Sequence, residues 1–350
     1  MKKSLLATTA LAALGAVAVA GPATAAEKIK VSVGGYMEQW FGYGDSKNNV
    51  NPDRDGFDQQ SDGEIHFKGS TTLDNGIKIG INVQLEGQTS GDQIDEQYAF
   101  VEGSFGRINL GSENAASYLM HYGIPSHGAG LDSGDATNWI AGGDFTGART
   151  NGRGIDNDSE KVTYFTPRFA GFQLGASYVP EIAQDNDAAP NSNNGVRDDS
   201  FSIAANFNRA FGDIKLQASA GFQDFGDDDG VAGQDLESYQ FGLRLGFGGF
   251  GIAGTYGEED RSAGQVFTGT QETIGVGLNY AAGPFGVSLA YIGADNDDLA
   301  DEQDAFELGA KYKLGPGVEA RGSVYYLERE TAGVDTAEGF AVVGGLKLGF

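Results

Sequence analysis

This chain of 350 residues contains no cysteine, three histidines, and 23 lysines and arginines against 49 aspartates and glutamates. Lacking cysteine, it has neither disulfides nor zinc–thiolate sites, so an exported form must be held together by other means. A closed, hydrogen-bonded barrel supplies them, because it leaves no unpaired edge. The shortage of cations, with a formal net charge of −26, argues against a nucleic-acid partner, since binding phosphates needs a basic face. After the N-terminal stretch no run reaches about eighteen apolar residues, which excludes a transmembrane helix. His66, His121 and His127 are little material for Ser/His or Asp/His catalysis. The sequence holds no nucleophile elbow, phosphate loop or metalloprotease helix. The expectation is a protein that is not an enzyme.

What is present begins with an export signal over residues 1–26. Lys2 and Lys3 make a positive start, Leu5 to Ala20 is apolar, and Ala23-Thr24-Ala25-Ala26 offers cleavage after Ala25 or Ala26. Residues 27–350 read as one domain without a linker. Their strongest signal is period-two alternation: Ile77, Ile79, Ile81, Val83 and Leu85 share one face, and Lys78, Gly80, Asn82, Gln84 and Glu86 the other. Sixteen such segments follow one another. Their cores begin at Lys30, Glu64, Ile77, Gln97, Arg107, Glu160, Phe172 and Phe201, then at Asp213, Glu237, Phe250, Glu272, Phe285, Ala305, Val318 and Gly339. Tight turns such as Asp74-Asn75-Gly76, Gly248-Gly249 and Gly315-Pro316-Gly317 alternate with long acidic loops: Gly44 to Asp62, Glu181 to Asp199, Asp295 to Gln303. One end of the assembly is therefore flat and the other bushy and negative, as in a closed barrel standing in an outer membrane. Phe172, Phe211, Phe247, Phe250 and Phe285 sit beside the short turns, and Tyr43, Tyr178, Tyr239, Tyr256 and Tyr291 toward the long loops. Two interfacial girdles are expected from that sorting. The fold expected is all-β, a sixteen-stranded antiparallel transmembrane β-barrel.

Three stretches carry a resemblance. Phe340, Val342, Gly344, Leu346, Leu348 and Phe350 share one face, and Phe350 is the last residue. Tyr164, Pro167, Phe169, Gly171 and Phe172 match a Tyr-x-x-Pro-x-Phe-x-Gly-Phe turn, and Phe105-Gly106-Arg107-Ile108-Asn109-Leu110-Gly111 forms a hairpin before the longest gap. In these the chain resembles the Gram-negative trimeric porins, the general diffusion channels. The resemblance implies a homotrimer that passes small hydrophilic solutes and ions, with Phe350 as the signal read by outer-membrane assembly machinery. It also implies that residues 113–157 form a third loop folded into the lumen, narrowing it with Glu113, Asp132, Asp135 and Asp144. Ala141-Gly142-Gly143-Asp144-Phe145 stands where enteric members carry Pro-Glu-Phe-Gly-Gly-Asp.

Parity assigns His66, Lys68, Arg107 and Arg244 to the lumen wall, together with Lys78, Lys215, Lys311, Lys313, Arg321 and Lys347. Most of these lie toward the short turns. The external loops instead carry Asp227-Asp228-Asp229, Glu258-Glu259-Asp260 and Asp295 with Asp297 and Asp298. Fixed charge at an opening concentrates counter-ions, so the acidic mouth predicts a modest cation preference. The same acids could hold structural Ca²⁺ or bridge through divalent cations to lipopolysaccharide. No cofactor is implied, and His121 and His127 have no recognisable metal spacing. Two other readings of a barrel are a substrate-specific channel and a non-conducting surface barrel or adhesin.

Overall fold

Where alternation reaches the ends of the segments, hydrogen bonding continues past it. The computed structural model describes residues 28–48, 53–87, 93–131, 136–141, 156–182, 197–228, 236–261 and 269–350. Its first strands are β1 (Lys30–Asn48), β2 (Arg54–Thr72), β3 (Lys78–Glu86), β4 (Ile94–Gly103) and β5 (Gly106–Ser112). After the inward loop come β6 (Glu160–Phe165), β7 (Phe172–Glu181), β8 (Arg197–Phe211), β9 (Ile214–Asp224) and β10 (Asp227–Asp228). The remainder are β11 (Leu236–Phe247), β12 (Phe250–Arg261), β13 (Gly269–Ala282), β14 (Phe285–Asn296), β15 (Asp301–Gly315), β16 (Val318–Thr331) and β17 (Val334–Gly349). The two-residue β10 continues β9 past Gly226 and pairs with β8, so the wall has sixteen staves.

All sixteen expected segments are present, and two expected loops are not. β1 and β2 stay paired out to Ser46↔Arg54, and β14 and β15 out to Asn296↔Asp301. Gly44 to Asp62 and Asp295 to Gln303 are therefore largely ladder. Outside the membrane both strand faces meet water, so hydropathy alternation ends before the hydrogen bonds do. The expected signal segment, 1–26, lies outside the described residues.

The sheet closes by pairing β1 with β17, Tyr36 opposite Gly349, and Gly35 and Phe350 exchange backbone hydrogen bonds of 3.0 and 3.1 Å. Its polarity is inverted relative to a water-soluble protein. Large apolar side chains face out: Phe172 and Phe247 are 60% and 61% exposed, while Gln240 and Ser288 on the inner face are 2% and 3% exposed. Tyr43, Tyr256, Tyr291 and Tyr326 mark the long-loop edge. Each donates its hydroxyl to an acid beside it: Asp55 at 2.6 Å, Glu258 at 2.6 Å, Asp304 at 2.5 Å and Glu328 at 2.8 Å. An apolar ring with a hydrogen-bonded hydroxyl suits the boundary between hydrocarbon and water.

Candidate functional site

Small residues on the inner wall decide what happens between β5 and β6. There the chain turns into the barrel and runs along its inside, and glycines make room for it. A Cβ on Gly277 would lie 2.3 Å from Ile124, one on Gly286 2.8 Å from the His127 ring, and one on Gly309 2.6 Å from the Gly128 amide. The far end is seated likewise, with Gly42 and Gly44 against Trp139 and Gly339 against Ile140.

Serines alternate with these glycines and hold the loop's main chain, which has few partners of its own. Ala116 N–H donates to Ser177 at 2.8 Å, Tyr122 N–H to Ser219 at 2.9 Å, and His127 N–H to Ser288 at 2.8 Å. Farther on, Ala129 N–H donates to Ser323 at 2.8 Å and Ala141 N–H to Ser46 at 2.8 Å. Arg54 reaches the carbonyls of Thr137 and Asn138 at 2.8 and 3.1 Å. The loop thus traces the wall from β7 past β9, β14 and β16 to β1 and β2. Beneath its far end lies the apolar cluster of the lumen, where Leu131, Trp139 and Ile140 pack on Ile292, Tyr325 and Val343.

The belt's described residues take their seats from β7 round to β2, which sets the lumen face of β3 to β5 apart. A cavity of about 400 Å³ there is lined by Lys30, Lys68, Lys78, Asn82, Tyr98, Phe100 and Arg107, among others. Arg107 stacks 4.0 Å over the Phe100 ring and Lys78 lies 5.6 Å from it, so that ring carries two cations. A neighbouring cavity of about 720 Å³ includes Glu102, Arg107, Asn109, Arg168 and Asn206. Arg107 is partly offset by Glu102 at 3.6 Å and bonds Asn109 at 2.7 Å.

The expected site residues fall into distinct places. Lys68 faces the lumen and is exposed, and Arg107 lines the same cavity. His66 is inward as parity required, but pairs with Glu64 at 2.6 Å. Arg244 donates to the carbonyl of Gly123, so it anchors the loop as well as lining the wall. Glu113 belongs to the loop, yet sits at its root, 2% exposed, taking hydrogen bonds of 2.7 and 3.0 Å from Asn109. Burial next to Asn109 follows from its place directly after β5, where the chain has not yet entered open lumen. Asp132, Asp135 and Asp144 lie outside the described residues. Phe350 is outward and exposed at the barrel seam. Among the described residues, Glu64, Glu86 and Asp95 bring carboxylate oxygens within 4.8 Å of one another, away from the acidic clusters named in the sequence. Sequence reading missed the glycine and serine seats; the available signal was Gly275, Gly277, Gly286, Ser288, Gly309 and Ser323 sharing lumen parity.

A closed antiparallel barrel with an apolar exterior, a wet interior and an internal loop defines an outer-membrane pore-type protein. The family described as Gram-negative porin matches residues 7–332, and the chain belongs to that family, placing it in the Gram-negative outer membrane. Outer membrane porin protein 32 of Delftia acidovorans is 30% identical over 193 residues, 51% of this chain and 50% of that protein. The chain therefore spans about half the length of the curated relative it matches. Among solved structures, an anion-selective porin from Comamonas acidovorans is similar with a TM-score of 0.63 and 19% identity, covering 92% of this chain and all 100% of that one. OmpT of Vibrio cholerae in a trimer form gives 0.61 and 14%, covering 93% and 100%.

Proposed function

We propose that this barrel is a passive diffusion channel for small hydrophilic solutes and ions, with a size limit set by the internal loop. The observation that carries the reading is the loop itself, whose described residues are seated on small residues around the inner wall from β7 to β2, beside a polar, cationic face on β3 to β5. No step of chemistry is involved. A homotrimer is part of the proposal, supported by family membership and by the trimeric form of the Vibrio cholerae neighbour. Lipopolysaccharide and divalent cations at the acidic external edge belong to it as well.

For ions, two features oppose each other. The mouth is acidic and argues for cations, whereas Lys68, Lys78 and Arg107 line a cavity on the lumen wall. Fixed charges act most strongly where the opening is narrow and its walls have low dielectric. We therefore weight the wall over the mouth and propose a modest anion preference, in keeping with the anion-selective porin of Comamonas acidovorans. Planar-bilayer recording tests both parts: conductance in steps, and a reversal potential of anion sign in a salt gradient. Silence would remove the channel reading, and a cation-sign potential would restore the preference suggested by the mouth.

A further inference from the structure

Both roots of the internal loop converge on one side chain. Lys161, on β6, is 3% exposed, and its ammonium donates to the carbonyl oxygens of Glu113, Asp156 and Ser159, the last two at 2.9 and 2.7 Å. Glu113 is the first residue beyond β5, and Asp156 and Ser159 lead the chain back into β6. An ammonium has three donors. Here all three are spent on main-chain oxygens, and they come from both ends of the same loop.

The surroundings fit a structural clasp better than a pore charge. Glu96, Glu113, Asp156 and Asp158 are the acids around Lys161, so its charge is answered locally. Asp156 is 1% exposed and ties the returning root to the neighbouring staves, accepting hydrogen bonds from Gln223 and, at 3.4 Å, from Ser200. Asn109 holds the outgoing root through Glu113. Lys68 and Arg107, by contrast, line a cavity open to the lumen. A buried ammonium is costly unless hydrogen-bonded, so its position is tolerable only while both roots stay in place.

We propose that Lys161 is the positioning residue of the permeation path, one buried ammonium that binds the two roots of the loop together and thereby sets how far the loop stands into the lumen. The proposal deepens the channel reading and rests on it for its transport consequence. Its test compares the whole protein with Lys161→Met, Lys161→Gln and Lys68→Met, each checked as an unboiled, detergent-resistant species on a gel. In liposome swelling with sugars of graded size, Lys161→Met shifts the size limit upward and Lys161→Gln, which keeps two donors, shifts it less. Lys68→Met, on the open lumen wall, alters ionic preference without loosening the loop. A limit unchanged in both Lys161 variants overturns the proposal.

A second readout needs no transport. Amide hydrogen exchange over residues 113–131 should be faster in the Lys161 variants than in Lys68→Met, with the strands equally protected. Equal loop protection in all three would also overturn it. A wild-type protein that passes no sugar at all sinks the channel reading instead, while the exchange experiment still decides whether Lys161 clasps the loop.

Discussion

Glu113 shows how a single side chain can report on the loop it begins. Burial pushes its carboxyl up from the ordinary 4.5 to about 7, and Glu96 adds to the rise, while Asn109, Lys161 and Arg107 oppose it. An acid raised in the folded state keeps its proton there after the unfolded chain has lost it. Folding stability from this group therefore falls as pH climbs from about 4.5 to about 7 and is level above that. Glu113→Gln has no proton to lose. It should raise the thermal midpoint at pH 8, with a gain of roughly 3 kcal/mol at most at about 1.4 kcal/mol per pKa unit, and change little at pH 4; scanning calorimetry at the two pH values checks this. Equal shifts at both would mean that Glu113 ionises normally. At the seam, Phe350 contributes backbone bonds and an exposed ring. Removing it is expected to reduce the amount assembled in the outer membrane while sparing refolding of purified chain into detergent, compared by gel shift in the two settings.

Among the elements, the loop and the staves beneath it form one unit. Gly277 has no space for a side chain under Ile124, whereas Gly254, on the outer face of β12, has nothing within 4 Å of where its Cβ would be. Gly277→Val should displace the loop at a cost on the order of 1–3 kcal/mol, typical of overpacking, and reduce single-channel conductance with the strand signal in circular dichroism intact. Gly254→Val should do neither. If the two variants conduct alike, the glycine seats do not control the lumen. Much of this element scale was readable beforehand: the staves, their order and their faces follow from the period-two pattern. The loop's course was not, because Ser177, Ser219, Ser288 and Ser323 are far apart in sequence and become a track only once the staves stand side by side.

For the whole molecule, charge is distributed by height. Cations such as Lys68, Lys78, Arg107 and Lys311 belong to the half near the short turns, and the acids gather at the opposite edge. Lys68→Glu combined with Arg107→Gln should move the reversal potential toward cations by tens of millivolts at low salt, and less at about 1 M, where the Debye length is about 3 Å. An unmoved potential would place the selecting charge elsewhere along the path. Parity assigned Lys68, Arg107, His66 and Arg244 to the lumen. It could not distinguish the exposed Lys68 from the Glu64-paired His66, or foresee that Arg244 would hold Gly123, since partners on other strands decide those roles.

Sequence alone determined the sixteen staves, their inward and outward faces, the side bearing short turns and the aromatic edges, because side-chain direction alternates along any strand and hydrocarbon accepts only one of the two faces. Tertiary structure alone decided which acids and bases remain available to a passing solute and where the internal loop lies. Those outcomes depend on contacts between strands distant in the chain, and they exist only after the sheet has closed on itself.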